Sequence, residues 1–296
     1  MIQEHQINQH TKPWPSLYST VSLARILVAT DFSKTSDRAL EHALALARTY
    51  NSRIFLTHVI PVDLMMAPEL AEAPRGQMRQ AAREGMERTV TSGRFFGVPH
   101  EEIIEEGALW PSIEALIRKH DIDLVVVGTH GMGDVEKLLI GSSAEQIFRQ
   151  ARIPILTVGP GVRREPLYRI ELKNILFATA FGLGAKRQVA YAFSLAQEHR
   201  SRIILLHVEQ RPDEEQAIVH QLQELIPSGT DLHCLPLFRV QQGDPVKKIL
   251  QVADETHANL IVLGAKTWKG LAGHVPHTKA HRVICGASCP VLTIKS

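Results

Sequence analysis

The chain has 296 residues, 44% of them hydrophobic, with 33 Lys and Arg residues against 31 Asp and Glu residues. This length accommodates two domains that each bury a core, and the balanced charge, with no basic stripe interleaved with aromatic residues, argues against nucleic acid as a partner. No apolar run approaches the ~20 residues of a membrane helix, and residues 1–21 lack the apolar centre of a secretory signal, so we expect a cytoplasmic protein that binds no membrane.

Strands and helices are predicted to alternate from residue 23 onward, after an N-terminal extension at residues 1–22. Apolar runs predict strands near 25–30, 53–59, 101–105, 123–127 and 154–158. Helical spacing predicts helices near 34–49, 68–93, 111–120 and 142–151. Nearly all-apolar strands separated by helices are typical of a parallel sheet covered on both faces, the doubly wound α/β class.

The second half of the sequence repeats the first. The matching segments are 26–32 with 175–181, 54–59 with 203–208, 124–128 with 260–264, and 153–158 with 289–294. The offset is 149 for the first two pairs (175 − 26) and 136 for the others (260 − 124), so the first half carries 13 extra residues (149 − 136). The same order of elements is therefore predicted from about 173 to 295, with Pro245 opening the third helix.

A glycine motif follows the fourth predicted strand. It runs Gly128-Thr-His-Gly131, then nine residues, then Gly141-Ser142. Glycines let the backbone lie close to a ligand, and the unpaired N–H groups of a helix start attract an anion. Ser142 and Glu145 predict a capping box at this start. The pattern favours phosphate binding, although neither a P-loop nor a dinucleotide fingerprint occurs.

Two further residues are expected at the same edge of the sheet. Asp31 follows the first strand and Val59 ends the second, and the carboxyl ends of parallel strands are where such sheets bind ligands. Asp31 can accept hydrogen bonds from ribose hydroxyls or hold Mg²⁺ on the phosphates. The alternative is that Asp31 only caps the first helix and that the glycines only close turns.

These motifs together resemble the ATP-binding members of the universal stress protein family, over roughly residues 23–296. The resemblance implies two domains in tandem, at 23–160 and 171–296, each a Rossmann-like, doubly wound five-stranded parallel sheet of the adenine nucleotide alpha hydrolase-like type. It implies ATP, ADP or AMP as the ligand, with or without Mg²⁺. The matching contact residues are Ala29, Thr30, Asp31, Val59, Val127, Gly128, Gly131, Gly141, Ser142 and Ser143.

The family also pairs through its last strands. The resemblance therefore implies that residues 154–158 and 290–294 join the two halves as an intramolecular pseudo-dimer. A homodimer of whole molecules is left open.

The second half departs from the motif. Its aspartate is replaced by Ala180, and its second and third glycines by Thr267 and His277, so that only Gly264 and Thr278 remain. We expect nucleotide in the first half and a degenerate site in the second. Nearby basic residues leave open an anion in a remodelled site, against the simpler interpretation of a solvated basic loop; these are Lys266, His274, His277 and Lys279.

Several weaker patterns are interpreted as packing. His281, Cys285 and Cys289 have the spacing of soft metal ligands, but Gly286 ends the helix before Cys289, so we expect buried, free thiols and no protein-only metal site. Trp110 is expected to pack, or to close one side of the first site. The equivalent histidines His58 and His207 are interpreted as packed features of the fold.

The predicted function is a stress-response regulator that binds an adenine nucleotide. No catalytic residue stands out, so hydrolysis is expected to be slow at most. Two alternatives are a Mg²⁺-dependent ATPase or nucleotidyl transferase that uses Asp31, and a scaffold that binds no nucleotide.

Overall fold

The computed structural model describes residues 21, 23–62, 68–129, 141–162, 168–182, 184–209, 215–265 and 278–295. The strands are β1 (Arg25–Ala29), β2 (Arg53–Ile60), β3 (His100–Glu106), β4 (Leu124–Gly128), β5 (Ile155–Val158), β6 (Asn174–Thr179), β7 (Arg202–Glu209), β8 (Leu237–Gln242), β9 (Leu260–Ala265) and β10 (Val291–Lys295). The helices are α1 (Lys34–Tyr50), α2 (Pro68–Val90), α3 (Leu109–Lys119), α4 (Ser142–Gln150), α5 (Ala185–Glu198), α6 (Glu215–Glu224), α7 (Pro245–Glu255) and α8 (Lys279–Gly286). The predicted alternation is confirmed.

All ten described strands form one continuous sheet, in the order β3-β2-β1-β4-β5-β10-β9-β6-β7-β8. Neighbouring strands within each half are parallel, whereas β5 and β10 pair antiparallel, with Val291 opposite Thr157 and Leu292 opposite Leu156. The two predicted five-stranded parallel sheets are both present, and β5 and β10, the last strands whose pairing the resemblance implied, join them into one mixed sheet. Pairing β5 with β10 removes the exposed N–H and C=O groups that each last strand would otherwise present as an edge.

The core lies on both faces of this sheet. Ile26 and Phe177 belong to the cluster on the face covered by α1 and α5, and Leu27 and Ile261 to the cluster on the other face. Each cluster combines residues of both halves. Because successive strand residues point to opposite faces, strands buried on both sides must be apolar throughout.

The repeat extends to unusual backbone angles. Phe32 and Phe181 are equivalent at the offset of 149, and both have positive φ, 61° and 55°. Asn51 and Arg200, at the ends of α1 and α5, have φ of 54° and 53°. Residues other than glycine rarely adopt this conformation, so its recurrence shows that the two halves fold in the same way. No helix among the described residues is long and apolar enough to span a bilayer.

Candidate functional site

A cavity of about 350 Å³ lies at the carboxyl ends of β1, β2 and β4, beside the start of α4. In the first half the strand order is β3-β2-β1-β4-β5, so β1 and β4 are neighbours from which the polypeptide winds in opposite directions. In a doubly wound sheet this reversal leaves a crevice between the two crossovers. The cavity therefore occupies the position that the topology makes available to a ligand.

Nine of the ten residues singled out in the sequence line this cavity, and the tenth, Gly131, lies outside the described residues. The nine are Ala29, Thr30, Asp31, Val59, Val127, Gly128, Gly141, Ser142 and Ser143. Sequence reasoning did not identify the other lining residues, which are Ser36, Thr57, His58, Leu109, Ile113, Thr129, Ala144 and Ile147. Several of these have the spacing of an apolar helix face, which indicates burial without distinguishing core from cavity wall.

The turn after β1 presents the Asp31 carboxylate to the cavity. Its Oδ1 accepts a hydrogen bond from the N–H of Ser33 at 3.0 Å, and Thr30 Oγ1 accepts one from the N–H of Phe32 at 3.0 Å. The N-cap of α1 is Ser33, whose side chain accepts from the N–H of Ser36. The alternative that Asp31 caps the first helix is therefore wrong, and the remaining carboxylate oxygen is available to a ribose hydroxyl or a metal ion.

Backbone groups at the ends of β1 and β2 differ in what they can offer a ligand. The N–H of Thr30 donates to the carbonyl of Thr57 at 2.9 Å, and its own carbonyl lies 2.8 Å from Nδ1 of His58. The backbone groups of successive β2 residues point alternately to β1 and to β3, so those of Val59 face the same side as those of Thr57. Because β1 has ended there, the N–H and C=O of Val59 face the cavity.

The start of α4 forms the opposite wall. Its N-cap is Gly141, and no side chain forms a capping hydrogen bond there, so the expected capping box between Ser142 and Glu145 is wrong. Ser142 is already the first helical residue, and Glu145 pairs instead with Arg149 at 3.7 Å. Since the cap offers no side-chain acceptor, the first-turn N–H groups of α4 remain available to an anion in the cavity.

Gly128 is required for a reason other than ligand approach. A Cβ atom at this position would lie 2.7 Å from the carbonyl carbon and oxygen of Thr35 and 2.8 Å from the nitrogen of Ser36. The end of β4 and the first turn of α1 are therefore in direct backbone contact. The glycine allows this packing, and the packing in turn sets the shape of the cavity.

The second half keeps the framework of the site and changes its contacts. His207 contacts the carbonyl of Thr179 at 2.9 Å, as His58 contacts that of Thr30. Thr278 caps α8, where its side chain accepts from the N–H of His281, and the side chain of Gln188 lies directly over Gly264. A side chain therefore caps the start of α8, whereas no side chain caps the start of the equivalent helix α4. Thr267 and His277 lie outside the described residues.

The remaining candidates are packed. Trp110 lies against the core cluster on the face of α3 and α4. Cys285 and Cys289 are buried and form no disulfide, and burial raises the pKa of Cys285 to about 11. Within the described part of the molecule, no group of three His, Cys, Asp or Glu side chains is placed to hold a metal ion.

Comparison with known sequences identifies one family. A model of the universal stress protein family matches residues 23–159 and again 238–295. A universal stress protein of Mycolicibacterium smegmatis is 25% identical over 296 residues, covering 91% of this chain and 96% of that protein. Universal stress protein A of Escherichia coli is 31% identical over 135 residues, covering 45% of this chain and 92% of that protein.

The fold has solved counterparts as well. A universal stress protein from Archaeoglobus fulgidus DSM 4304 superposes with a TM-score of 0.64 at 20% sequence identity. The superposition covers 92% of this chain and 98% of that one. A similarity at this level of identity establishes the architecture of both halves together.

Proposed function

The chain belongs to the universal stress protein family, and from that membership we propose that its first half binds ATP or another adenine nucleotide in the cavity beside β1, β2 and β4. The single observation that carries the proposal is the convergence of Asp31, the backbone of Val59 and the uncapped start of α4 on one cavity of about 350 Å³. Each of the three suits a different part of a nucleotide.

The base is assigned to Val59. A backbone carbonyl beside a backbone N–H matches the amino donor and ring-nitrogen acceptor of adenine, whereas guanine presents an acceptor and a donor in the opposite order. The ribose is assigned to Asp31, the only carboxylate among the described lining residues. Asp31 would also be the residue to hold Mg²⁺ bound to the phosphates, since hard cations prefer oxygen ligands.

The phosphates are assigned to the first turn of α4, at Ser142 and Ser143. The N–H groups and the positive end of the helix dipole favour anions there. None of the described lining residues is a Lys or Arg. The described cavity wall therefore offers no positively charged side chain to stabilise a phosphoryl-transfer transition state. We therefore propose that the protein retains its nucleotide as a regulatory ligand and hydrolyses it slowly at most.

The same reasoning assigns the nucleotide to one domain. We propose domains at 23–160 and 171–296, with the first occupied and the second degenerate, because Ala180 lacks the carboxylate and Thr278 already caps α8. Cytoplasmic localisation remains part of the proposal.

A charge placed in the phosphate position tests this assignment. Ser142→Glu puts a carboxylate on the first turn of α4, where it favours the helix but repels phosphate, so ATP affinity measured by calorimetry should fall about tenfold or more. The control Gln216→Glu adds the same charge to the first turn of α6 and should leave ATP affinity unchanged. Unchanged ATP affinity in Ser142→Glu would refute the site.

The identity of the ligand is tested separately. Mass spectrometry of protein purified without added nucleotide should find an adenine nucleotide. GTP should bind more weakly than ATP.

A further inference from the structure

A second cavity, of about 510 Å³, lies where the two halves join. Its walls are α1 at His42, the segment 168–173 that leads into β6, and residues just before β9 and β10, among them Asn259 and Pro290. This junction cavity shares no described lining residue with the cavity beside β1, β2 and β4. Because both halves contribute walls to the junction cavity, neither half forms it alone.

His42 is a deeply buried polar side chain in the wall of the junction cavity. Only 8% of its surface is exposed, and Nδ1 has no hydrogen-bond partner among the described residues. Burial lowers the pKa of His42 to about 4, so at neutral pH the imidazole is neutral, with one ring nitrogen that donates and one that accepts. A buried polar atom without a partner costs free energy, which a ligand that pairs with it recovers.

The charged side chains of the junction cavity leave one positive charge unmatched. Glu171 is the only carboxylate among the described lining residues, and Lys173 pairs with it at 3.3 Å. Arg169 is exposed, and in the described part of the chain no carboxylate forms an ion pair with it. This unmatched guanidinium favours a ligand with a single negative charge.

Asn259 supplies hydrogen-bond donors where the first half has a carboxylate. Its Oδ1 accepts the backbone N–H groups of Lys173 and Asn174, both at 2.9 Å, which leaves the side-chain NH₂ group for a ligand. The equivalent residue at the offset of 136 is Asp123, whose Oδ2 accepts the N–H of Arg25 at 2.9 Å. The amide keeps this backbone contact, adds donors and removes a negative charge.

Much of the remaining lining is apolar. Val162, Ile170, Leu172 and Pro290 all line the junction cavity. A smaller apolar cavity, of about 30 Å³, adjoins it, because the two share Ile170, Leu172, Asn259 and Pro290 as lining residues. A cavity of this size that combines apolar walls with a few polar groups is typical of sites for small organic molecules.

We propose that the junction cavity binds a small organic carboxylate with an apolar body. The guanidinium of Arg169 supplies the counter-charge, and the Asn259 amide and the His42 imidazole donate hydrogen bonds to the carboxylate oxygens. The apolar body packs against Ile170 and Leu172, toward the smaller cavity. This site does not rest on nucleotide binding in the first half.

Fluorescence titration of the whole chain with dansylglycine, an aromatic carboxylate, tests the site in the wild type. We expect one dansylglycine per molecule. Dansylglycinamide, its uncharged counterpart, should bind about fivefold more weakly or worse, because it brings no charge to Arg169. Phenylacetate should displace the probe, whereas acetate at the same concentration should not, since it lacks the apolar body. Equal affinity for the acid and the amide, or no binding of the acid, would overturn the proposal.

Variants then locate the bound probe. Arg169→Met and His42→Leu should each weaken dansylglycine binding about fivefold or more. Two controls should keep the wild-type affinity: Arg239→Met removes an exposed arginine on β8, and Ser142→Glu alters only the cavity of the first half. Because Arg169 is exposed, Arg169→Met keeps the fold even if the buried substitution His42→Leu does not.

The two sites are distinguished by the same set of variants. Wild-type dansylglycine affinity in Arg169→Met, or loss of that affinity in Ser142→Glu, would overturn the junction site. The ATP affinity of Ser142→Glu tests the nucleotide site, whatever the outcome with dansylglycine.

Discussion

His42 is a buried histidine on α1, in the first half of the molecule. It is 8% exposed, and Nδ1 has no hydrogen-bond partner in the described structure. Burial lowers its pKa to about 4, from 6.5. The imidazole is therefore neutral in the folded protein under conditions where the unfolded protein takes up a proton. Its equivalent in the second half, at the offset of 149, is Tyr191, which does not protonate in this range.

The free energy of unfolding should fall as the pH drops from about 6.5 to about 4. The folded pKa of His42 is depressed, so the folded state binds fewer protons than the unfolded state and acid favours unfolding. The full contribution of this residue is ~3 kcal/mol at most. Urea unfolding across this range should show a flatter pH dependence for His42→Leu, while the exposed control His220→Leu should follow the wild type. Parallel curves for His42→Leu and wild type would contradict this account.

At the scale of elements, the contact between α1 and β4 shapes the candidate site. Gly128 lets the two backbones meet, and Ser33 caps α1 so that its first turn stays in place against the strand end. The nucleotide cavity is thus held by the packing of two elements that also belong to the core. Loop residues that line such a cavity are positioned by this scaffold.

Gly128→Ala should lower the free energy of unfolding by about 1–3 kcal/mol, because the added Cβ forces α1 and β4 apart. The shift should also weaken nucleotide binding. Gly76→Ala is the matched control: its Cβ meets nothing within 4 Å inside α2, so it should stabilise the protein by up to ~1 kcal/mol through helix propensity. Chemical denaturation and calorimetry with ATP measure both effects. Stability of Gly128→Ala equal to wild type would show that α1 and β4 can separate freely.

At the scale of the whole molecule, the two halves share one sheet and one core. Leu156 on β5 and Leu292 on β10 face each other in the antiparallel pair, and both belong to the cluster beneath α1 and α5. Tyr50 and His199, equivalent residues at the ends of α1 and α5, meet at 2.7 Å between the hydroxyl and Nε2. The C-terminal ends of the equivalent helices α1 and α5 thus contact each other directly.

Leu292→Ala should lower the free energy of unfolding of the whole molecule by about 2–5 kcal/mol, since it opens a cavity where the halves join. Scanning calorimetry should show one cooperative transition that moves as a unit. The control Leu235→Ala removes a side chain that is 88% exposed and should leave the transition in place. Two separate transitions, of which only one moves, would show that the halves fold independently.

The sequence by itself determined the order of the elements, the twofold repeat and nine of the described cavity residues. Apolar periodicity, helix starts and turn glycines are local signals, and in a parallel sheet they place strand ends at one edge. Local spacing also predicted a capping box at Ser142, where the helix instead begins after Gly141. The sequence also suggested that Gly128 lets the backbone approach a ligand, whereas in the structure Gly128 allows the backbone contact between β4 and α1.

Only the tertiary structure decided what depends on contacts between distant residues. It set the antiparallel register of β5 and β10, with Val291 opposite Thr157. It turned the backbone N–H and C=O of Val59 toward the cavity. It also brought Lys295 against the ring of Phe148, although 147 residues (295 − 148) separate them in sequence. Such contacts follow from the registration of whole elements, so no local pattern in the sequence encodes them.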